Sequence, residues 1–301
     1  MSFLRKVFYS KPVNTILSRV LRPFAGVLPV TSKFGVYGPF TLKFPGNIKV
    51  QYYTNPTSYH SKLLFWDGFE GFEYESSRYF AQLAKNASCF FDVGANIGYY
   101  SLLAGAVNPG ITIFSFEPMP APNAYLKRNL ELNNIKNYKT STLALSNTKT
   151  EAEFFATANA KLNFIADQLS GDGGMSESHS GVRSIEKVKV NTITLDEFAA
   201  QNLPQGKLID LMKLDTEATE HYVLEGAATI LAKHRPIIMC EVISGQIEKE
   251  LEQILSANNY LYFRTGKGKP QKVNSLTDNT ASKFEYFLVP AEKENMLLNL
   301  E

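Results

Sequence analysis

FFDVGANIGYYS, residues 90–101, decides how this 301-residue chain is read. Phe90, Phe91 and Val93 form the short apolar run of a buried parallel strand, and the run carries Asp92 just before two glycines, Gly94 and Gly98, after which a helical pattern begins. A strand, a glycine turn and a helix make the ligand-binding corner of an open parallel sheet, because glycine lets the backbone turn sharply and approach a ligand closely. The next strand, ITIFSFEP, ends in Glu117, 23 residues beyond Gly94, where such sheets place a carboxylate that accepts both hydroxyls of a ribose.

The spacing also separates ligands. A dinucleotide site uses G-x-G-x-x-G, so that a helix N-terminus meets a pyrophosphate. Here the turn is Gly94-Ala95-Asn96-Ile97-Gly98, preceded by a carboxylate that would repel a pyrophosphate. A molecule with a free ribose diol, an ammonium group and a sulfonium, and with no phosphate, suits it better, which points to S-adenosylmethionine. The candidate cofactor residues are Asp92, Gly94, Ala95, Asn96, Gly98 and Glu117, joined by Ala144 and Leu145 at the end of a third strand, KTSTLALSN, beside the adenine.

The carboxyl edge of the sheet supplies the candidate chemistry. The strand LIDLMKLD ends in Asp215, and Glu217 and His221 follow it, four residues apart and expected on one face of the next helix. Asp215, Glu217 and His221 are the candidate bases, with His179 in a polar loop as an outsider; Glu241 ends a further strand at the same edge, and Glu70 or Glu73 could face the site. No strong metal-ligand spacing accompanies these carboxylates, so no metal is expected. The segment SGDGGMSESHSG, 170–181, has almost no apolar content and is a candidate lid. Thr194-Leu-Asp-Glu197 reads as a capping box, which makes Asp196 and Glu197 structural.

Three blocks together resemble the FkbM-type S-adenosylmethionine-dependent methyltransferases: FFDVGANIGYYS with SFEPMPAPNAYLKRNLELNN; TLALSN; and VNTITLDEF with LIDLMKLDTEATEHYVLEGAATILAKHRPIIMCEV. They span about residues 89–243 in the family's order. One departure is Ala218, which stands where the family has the glycine of Asp-x-Glu-Gly. The resemblance implies an α/β fold of class I methyltransferase type, a Rossmann-like seven-stranded sheet with helices on both faces. It implies methyl transfer from S-adenosylmethionine to a hydroxyl, for which a glycan or its lipid-linked precursor is the expected acceptor. A nicotinamide oxidoreductase is disfavoured by the missing third glycine and by Asp92; a catalytically silent, membrane-associated binding protein is the alternative that Ala218 motivates.

With 44% hydrophobic and 20% charged residues, the chain is ordinary for a folded globular protein. Cys89 and Cys240 both lie in apolar strand contexts and read as buried thiols, which fits a reducing, cytoplasmic compartment. No uncharged apolar stretch is long enough to span a bilayer, and Lys11 and Arg19 interrupt any signal core. The net charge of +2 hides an asymmetry: residues 1–66 hold nine basic side chains and no acid. Residues 1–75 are therefore read as a basic arm and a cap containing a β-hairpin, and 76–301 as the Rossmann-like domain. Apolar residues at helical spacing within the arm fit a helix lying on an anionic membrane. No recognition module for nucleic acid accompanies the charge.

Overall fold

The computed structural model describes residues 3–169, 174–175, 184–277 and 283–300. Helices α1 (Phe3–Phe8) and α2 (Lys11–Leu21) form the arm, followed by a hairpin of β1 (Gly38–Phe44) and β2 (Ile48–Thr54). The hairpin is the one the Pro-Gly turn and the alternation predict. Gly46 takes φ 76° at the turn, and Phe40 pairs with Tyr52 and Leu42 with Val50, so the apolar set lies on one face. Two helices, α3 (Tyr59–Asp67) and α4 (Tyr74–Asn86), lead into β3 (Cys89–Val93).

From there strand and helix alternate: α5 (Tyr99–Val107), β4 (Thr112–Phe116), α6 (Pro120–Leu132) and β5 (Tyr138–Ser141). After β6 (Ala144–Leu145), β7 (Glu151–Ala158), β8 (Ser184–Ile193) and α7 (Leu195–Asn202), the alternation resumes with β9 (Leu211–Leu214), α8 (Glu220–Glu225), β10 (Ile237–Ile243) and α9 (Glu248–Ala257). The chain closes with β11 (Tyr260–Arg264), β12 (Gln271–Val273), β13 (Lys283–Pro290) and α10 (Glu294–Leu298).

The main sheet has the order β12-β11-β13-β10-β9-β3-β4-β5. Strands β5, β4, β3, β9 and β10 run parallel, and β13 inserts antiparallel between β10 and β11. The order reverses between β4 and β9 on either side of β3, so the crevice that binds ligands in such sheets opens above β3. Phe90 faces one layer with Leu102 and Leu211, and Phe91 faces the other with Phe114 and Phe198, as the two-residue period of a strand requires.

Two expectations are corrected. The sheet has eight strands rather than seven, because the polar, non-alternating Gln271–Val273 pairs with β11 at the edge. KTSTLALSN is not one strand either: the Ser141 hydroxyl accepts the Leu143 N–H at 3.1 Å and turns the chain, so that Ala144 and Leu145 pair with Thr192 and Ile193 in a separate three-stranded sheet. Thr194 caps α7 as the capping-box reading expects, accepting the Glu197 N–H on Oγ1 at 3.1 Å, while the Glu197 carboxylate takes Lys149 and Gln201. The Asp196 carboxylate accepts the Thr229 and Ile230 N–H groups at the start of another helical turn.

Side chains clasp the hairpin. Asn129 on α6 accepts the Tyr53 N–H (2.6 Å) and donates to the Tyr53 carbonyl (3.1 Å); Asn133, one turn on, does the same for Gln51 at 2.7 Å in each direction. On the β1 side, Arg19 donates to the Tyr37 and Pro39 carbonyls and Arg22 to the Thr41 carbonyl. Asn14 donates to the Gly35 carbonyl and accepts the Tyr37 N–H, each at 3.0 Å.

Candidate active site

The glycine turn is built by close backbone approach. Gly94 has φ 79°, and a Cβ there would sit 1.8 Å from the Asp215 carbonyl oxygen, so only glycine lets the ends of β3 and β9 meet. The N–H groups of Gly94 and Ala95 both donate to the Phe116 carbonyl, which ties the turn to the end of β4. Beyond them, the Asn96 N–H donates to Glu117 Oε2 and the Met119 N–H to Glu117 Oε1, each at 2.9 Å. Burial pushes the Glu117 carboxyl up to about 7, against the lowering pull of those two N–H groups. Asn96 Oδ1 is buried without a hydrogen-bond partner, an acceptor aimed from the same turn.

Asp92 is held from below. Its Oδ2 accepts the N–H (3.0 Å) and the hydroxyl (2.5 Å) of Ser101, so it anchors the start of α5, and burial pushes it up to about 6. Gly98, with φ 92°, packs against Leu126 and does not line the cavity; its part is to let the chain enter α5.

One cavity of about 1000 Å³ gathers the rest. Of the candidate cofactor residues, Asp92, Gly94, Ala95, Asn96, Glu117, Ala144 and Leu145 line it; so do Asp215, Glu217 and Glu241. These last three offer carboxylate oxygens within 4.8 Å of one another, and Glu73, Glu241 and Glu285 form a second such group. The counter-charge is Lys213, buried in β9, whose Nζ lies 3.0 and 3.2 Å from the two oxygens of Glu285 and 3.7 Å from Asp215 Oδ2. Burial alone would lower its ammonium, and Glu285, Asp215, Glu73 and Glu241 reverse that and hold it well above the usual lysine range. Tyr100 donates its hydroxyl to Glu73 Oε2 at 2.6 Å, which settles the earlier alternative: Glu73 faces the cavity and Glu70 faces solvent. His60 stacks on Phe72 at 4.4 Å on the cavity wall. Lys213 and Glu285 escaped the sequence reading, although a lysine inside a four-residue apolar strand is itself a sign of a buried charge in need of partners.

His221 does not join Glu217. Glu217 and Ala218 have left-handed φ values of 56° and 69°, and the helix starts only at Glu220, whose Oε1 accepts the Thr216 N–H at 2.6 Å. The two residues therefore never share a helical face. His221 lies outside the cavity lining, buried beside Tyr222 where α8 packs on α9, and burial lowers its imidazole below the usual value. His179 lies outside the described residues, as does most of the candidate lid. Its two described residues, Gly174 and Met175, do reach the site: Gly174 pairs with Phe155, and Met175 lines the cavity.

The left-handed turn also bears on Ala218. It is buried at φ 69°, a conformation that costs an alanine more than a glycine. Ala218→Gly is expected to stabilise the protein by about 0.5–1 kcal/mol, the larger entropy of unfolded glycine offsetting part of the relieved strain. Urea unfolding checks it; a lower midpoint for the variant would mean that the alanine methyl packs better than the turn is strained.

A sheet with a parallel core, a glycine turn over its switch point, an acid at the end of the next strand and an acidic crevice define a Rossmann-like domain of class I methyltransferase type. Residues 92–262 match the Methyltransferase FkbM domain, and the chain belongs to that family. It is 28% identical over 148 residues to Methyltransferase 1 of Beauveria bassiana (46% of this chain, 58% of that protein). Over a shorter stretch of 39 residues it is 54% identical to the 31-O-demethyl-FK506 methyltransferase FkbM of Streptomyces tacrolimicus, covering 13% of this chain and 15% of that one. The chain thus spans less than two thirds of the length of the curated relatives it matches. Among solved structures it is similar to Methyltransferase FkbM from Methylobacillus flagellatus, with 13% identity, a TM-score of 0.41 and coverage of 76% of this chain and 55% of that one.

Proposed function

We propose that this protein is an S-adenosylmethionine-dependent O-methyltransferase acting in the cytoplasm on a hydroxyl of a glycan or glycan precursor. The observation that carries the reading is the juxtaposition, in one cavity, of Glu117 at the end of β4, bonded to the glycine turn, with the Asp215, Glu217 and Glu241 carboxylates. Family membership supports the class of reaction, and two unpaired buried cysteines accord with a reducing compartment.

The residues present fit the cofactor. Glu117, fixed by two N–H groups, has acceptor capacity for a ribose diol, and the buried Asn96 Oδ1 has capacity for a donor such as an ammonium. S-adenosylmethionine supplies a methyl group already activated by its sulfonium. The protein's share is to hold the acceptor oxygen in line and to take its proton as the new C–O bond forms and the C–S bond breaks. Asp215, Glu217 and Glu241, which cluster on this cavity, are the carboxylates assigned to take that proton. For a polyhydroxylated acceptor, the carboxylates offer hydrogen-bond acceptors and the Phe72 and His60 rings offer an apolar face.

Calorimetric titration with S-adenosylmethionine, S-adenosylhomocysteine and NAD tests the cofactor, and release of S-adenosylhomocysteine in the presence of saccharides tests the acceptor. Binding of both adenosyl ligands and not of NAD, with saccharide-dependent release, is expected. Preference for NAD would overturn the reading, and adenosyl binding with no turnover on any hydroxyl acceptor would favour the silent scaffold.

A further inference from the structure

The arm is folded inside out. On α2 the buried residues are the polar Asn14 and Ser18, while Ile16 and Val20 face solvent. The cause is the clasp on the hairpin: Asn14, Arg19 and Arg22 spend their polar groups on β1 and the irregular segment leading into it, and Arg19 and Arg22 also lie over the Phe65 ring at 5.2 and 4.6 Å. Ile16 and Val20 then point outward, while Leu21, with Ala25 and Leu28 beyond it, packs partly against the core. Among the described residues, the six most exposed large hydrophobic side chains are Phe3, Leu4, Ile16, Val20, Val27 and Val30, at 61–82% exposure, and all lie in the first thirty residues.

An outward apolar face alone does not name its occupant. Charge does: the first 66 residues carry nine basic side chains and no acid. Beside the arm, Arg5, Lys33, Lys62 and Lys161 surround a small cavity of about 310 Å³, which shares Tyr59 with the wall of the large cavity. We propose that this face docks the protein on an anionic lipid bilayer. The apolar side chains enter the headgroup boundary, and basic residues outside the clasp, such as the exposed Lys6 and Lys11, engage lipid phosphates. No helix among the described residues is long and apolar enough to cross a membrane, so the contact is with one leaflet.

Sedimentation of the full chain with vesicles tests this, comparing phosphatidylcholine alone with a phosphatidylcholine and phosphatidylglycerol mixture. The wild type is expected to pellet with the anionic vesicles and to do so less at 1 M than at 0.1 M salt, because the screening length shortens from about 10 to about 3 Å. The pair Ile16→Glu with Val20→Glu should lower the partition coefficient at least about tenfold at unchanged thermal midpoint, since both side chains leave the body free. If that pair destabilises α2, Leu4→Glu with Val27→Glu asks the same question away from the clasp. Equal partitioning of wild type and variants, or a wild type that stays in the supernatant, would overturn the proposal. So would a dimer in light scattering that the substitutions dissociate, in the absence of vesicle binding: the face would then belong to a second copy.

Discussion

Glu117→Ala is expected to weaken S-adenosylmethionine binding by about 2–4 kcal/mol, or roughly 30- to 900-fold, the range for truncating one partner of a charge-assisted hydrogen-bonded pair. The fold should survive, since the turn is also held by the Gly94 and Ala95 N–H groups on Phe116. A pH dependence accompanies the effect. Burial places the Glu117 carboxyl at about 7, so the ionised form that accepts a diol fills as pH rises through that value. Affinity should improve about tenfold from pH 6 to 8 and level off above, and Glu117→Gln should flatten the rise. Stability runs the other way: with a folded pKa above the unfolded one, the contribution of Glu117 is fully present below the ordinary glutamate range and is lost as pH rises through about 7. Calorimetry across this window is the check, and an alanine variant that binds like wild type would remove the ribose contact from the account.

Glu217→Gln should lower turnover by about 10²–10⁴, as for a lost general base, with cofactor affinity near wild type. His221→Ala should stay within about tenfold of wild type, because an imidazole outside the cavity lining can act only through packing. Single-turnover rates at saturating cofactor separate these. A full loss in both variants would restore the helical-face pairing that the backbone argues against, and a full loss in His221→Ala beside a normal Glu217→Gln would move the base to His221 alone. If Glu217→Gln is silent, Asp215 and Glu241 remain as the two other carboxylates of the group.

The different fates of these residues show what a sequence can carry. The corner at Asp92 to Gly98 and the acid at Glu117 were legible because each depends on a few adjacent residues whose backbone needs are written locally: an apolar strand, glycines at positive φ, an acid one strand later. The pairing of Glu217 with His221 failed because four-residue spacing places side chains together only if the helix has already begun, and two left-handed residues delay it to Glu220. Ala218 in the family's glycine position was the available sign of that turn. The acidic group around Lys213 joins α4's approach, β9, β10 and β13, four segments spread over more than 200 residues, so no spacing rule could have assembled it. The break in KTSTLALSN turned on a single hydroxyl, Ser141, accepting an N–H two residues on.

The asparagines that clasp the hairpin have a consequence for how the protein keeps to itself. A two-stranded ribbon presents unpaired N–H and C=O groups along both margins, a template onto which a foreign strand can add. Asn129 and Asn133 stand one helical turn apart, an advance of about 6 Å, close to the roughly 6.6 Å between alternate residues of a strand. Their carboxamides therefore meet Tyr53 and Gln51 much as the peptide groups of a third strand would. On the opposite margin guanidinium groups occupy the carbonyls of Pro39 and Thr41, and proline has no N–H to offer. The groups so occupied are denied to an incoming strand, which disfavours templated growth along these stretches of the ribbon.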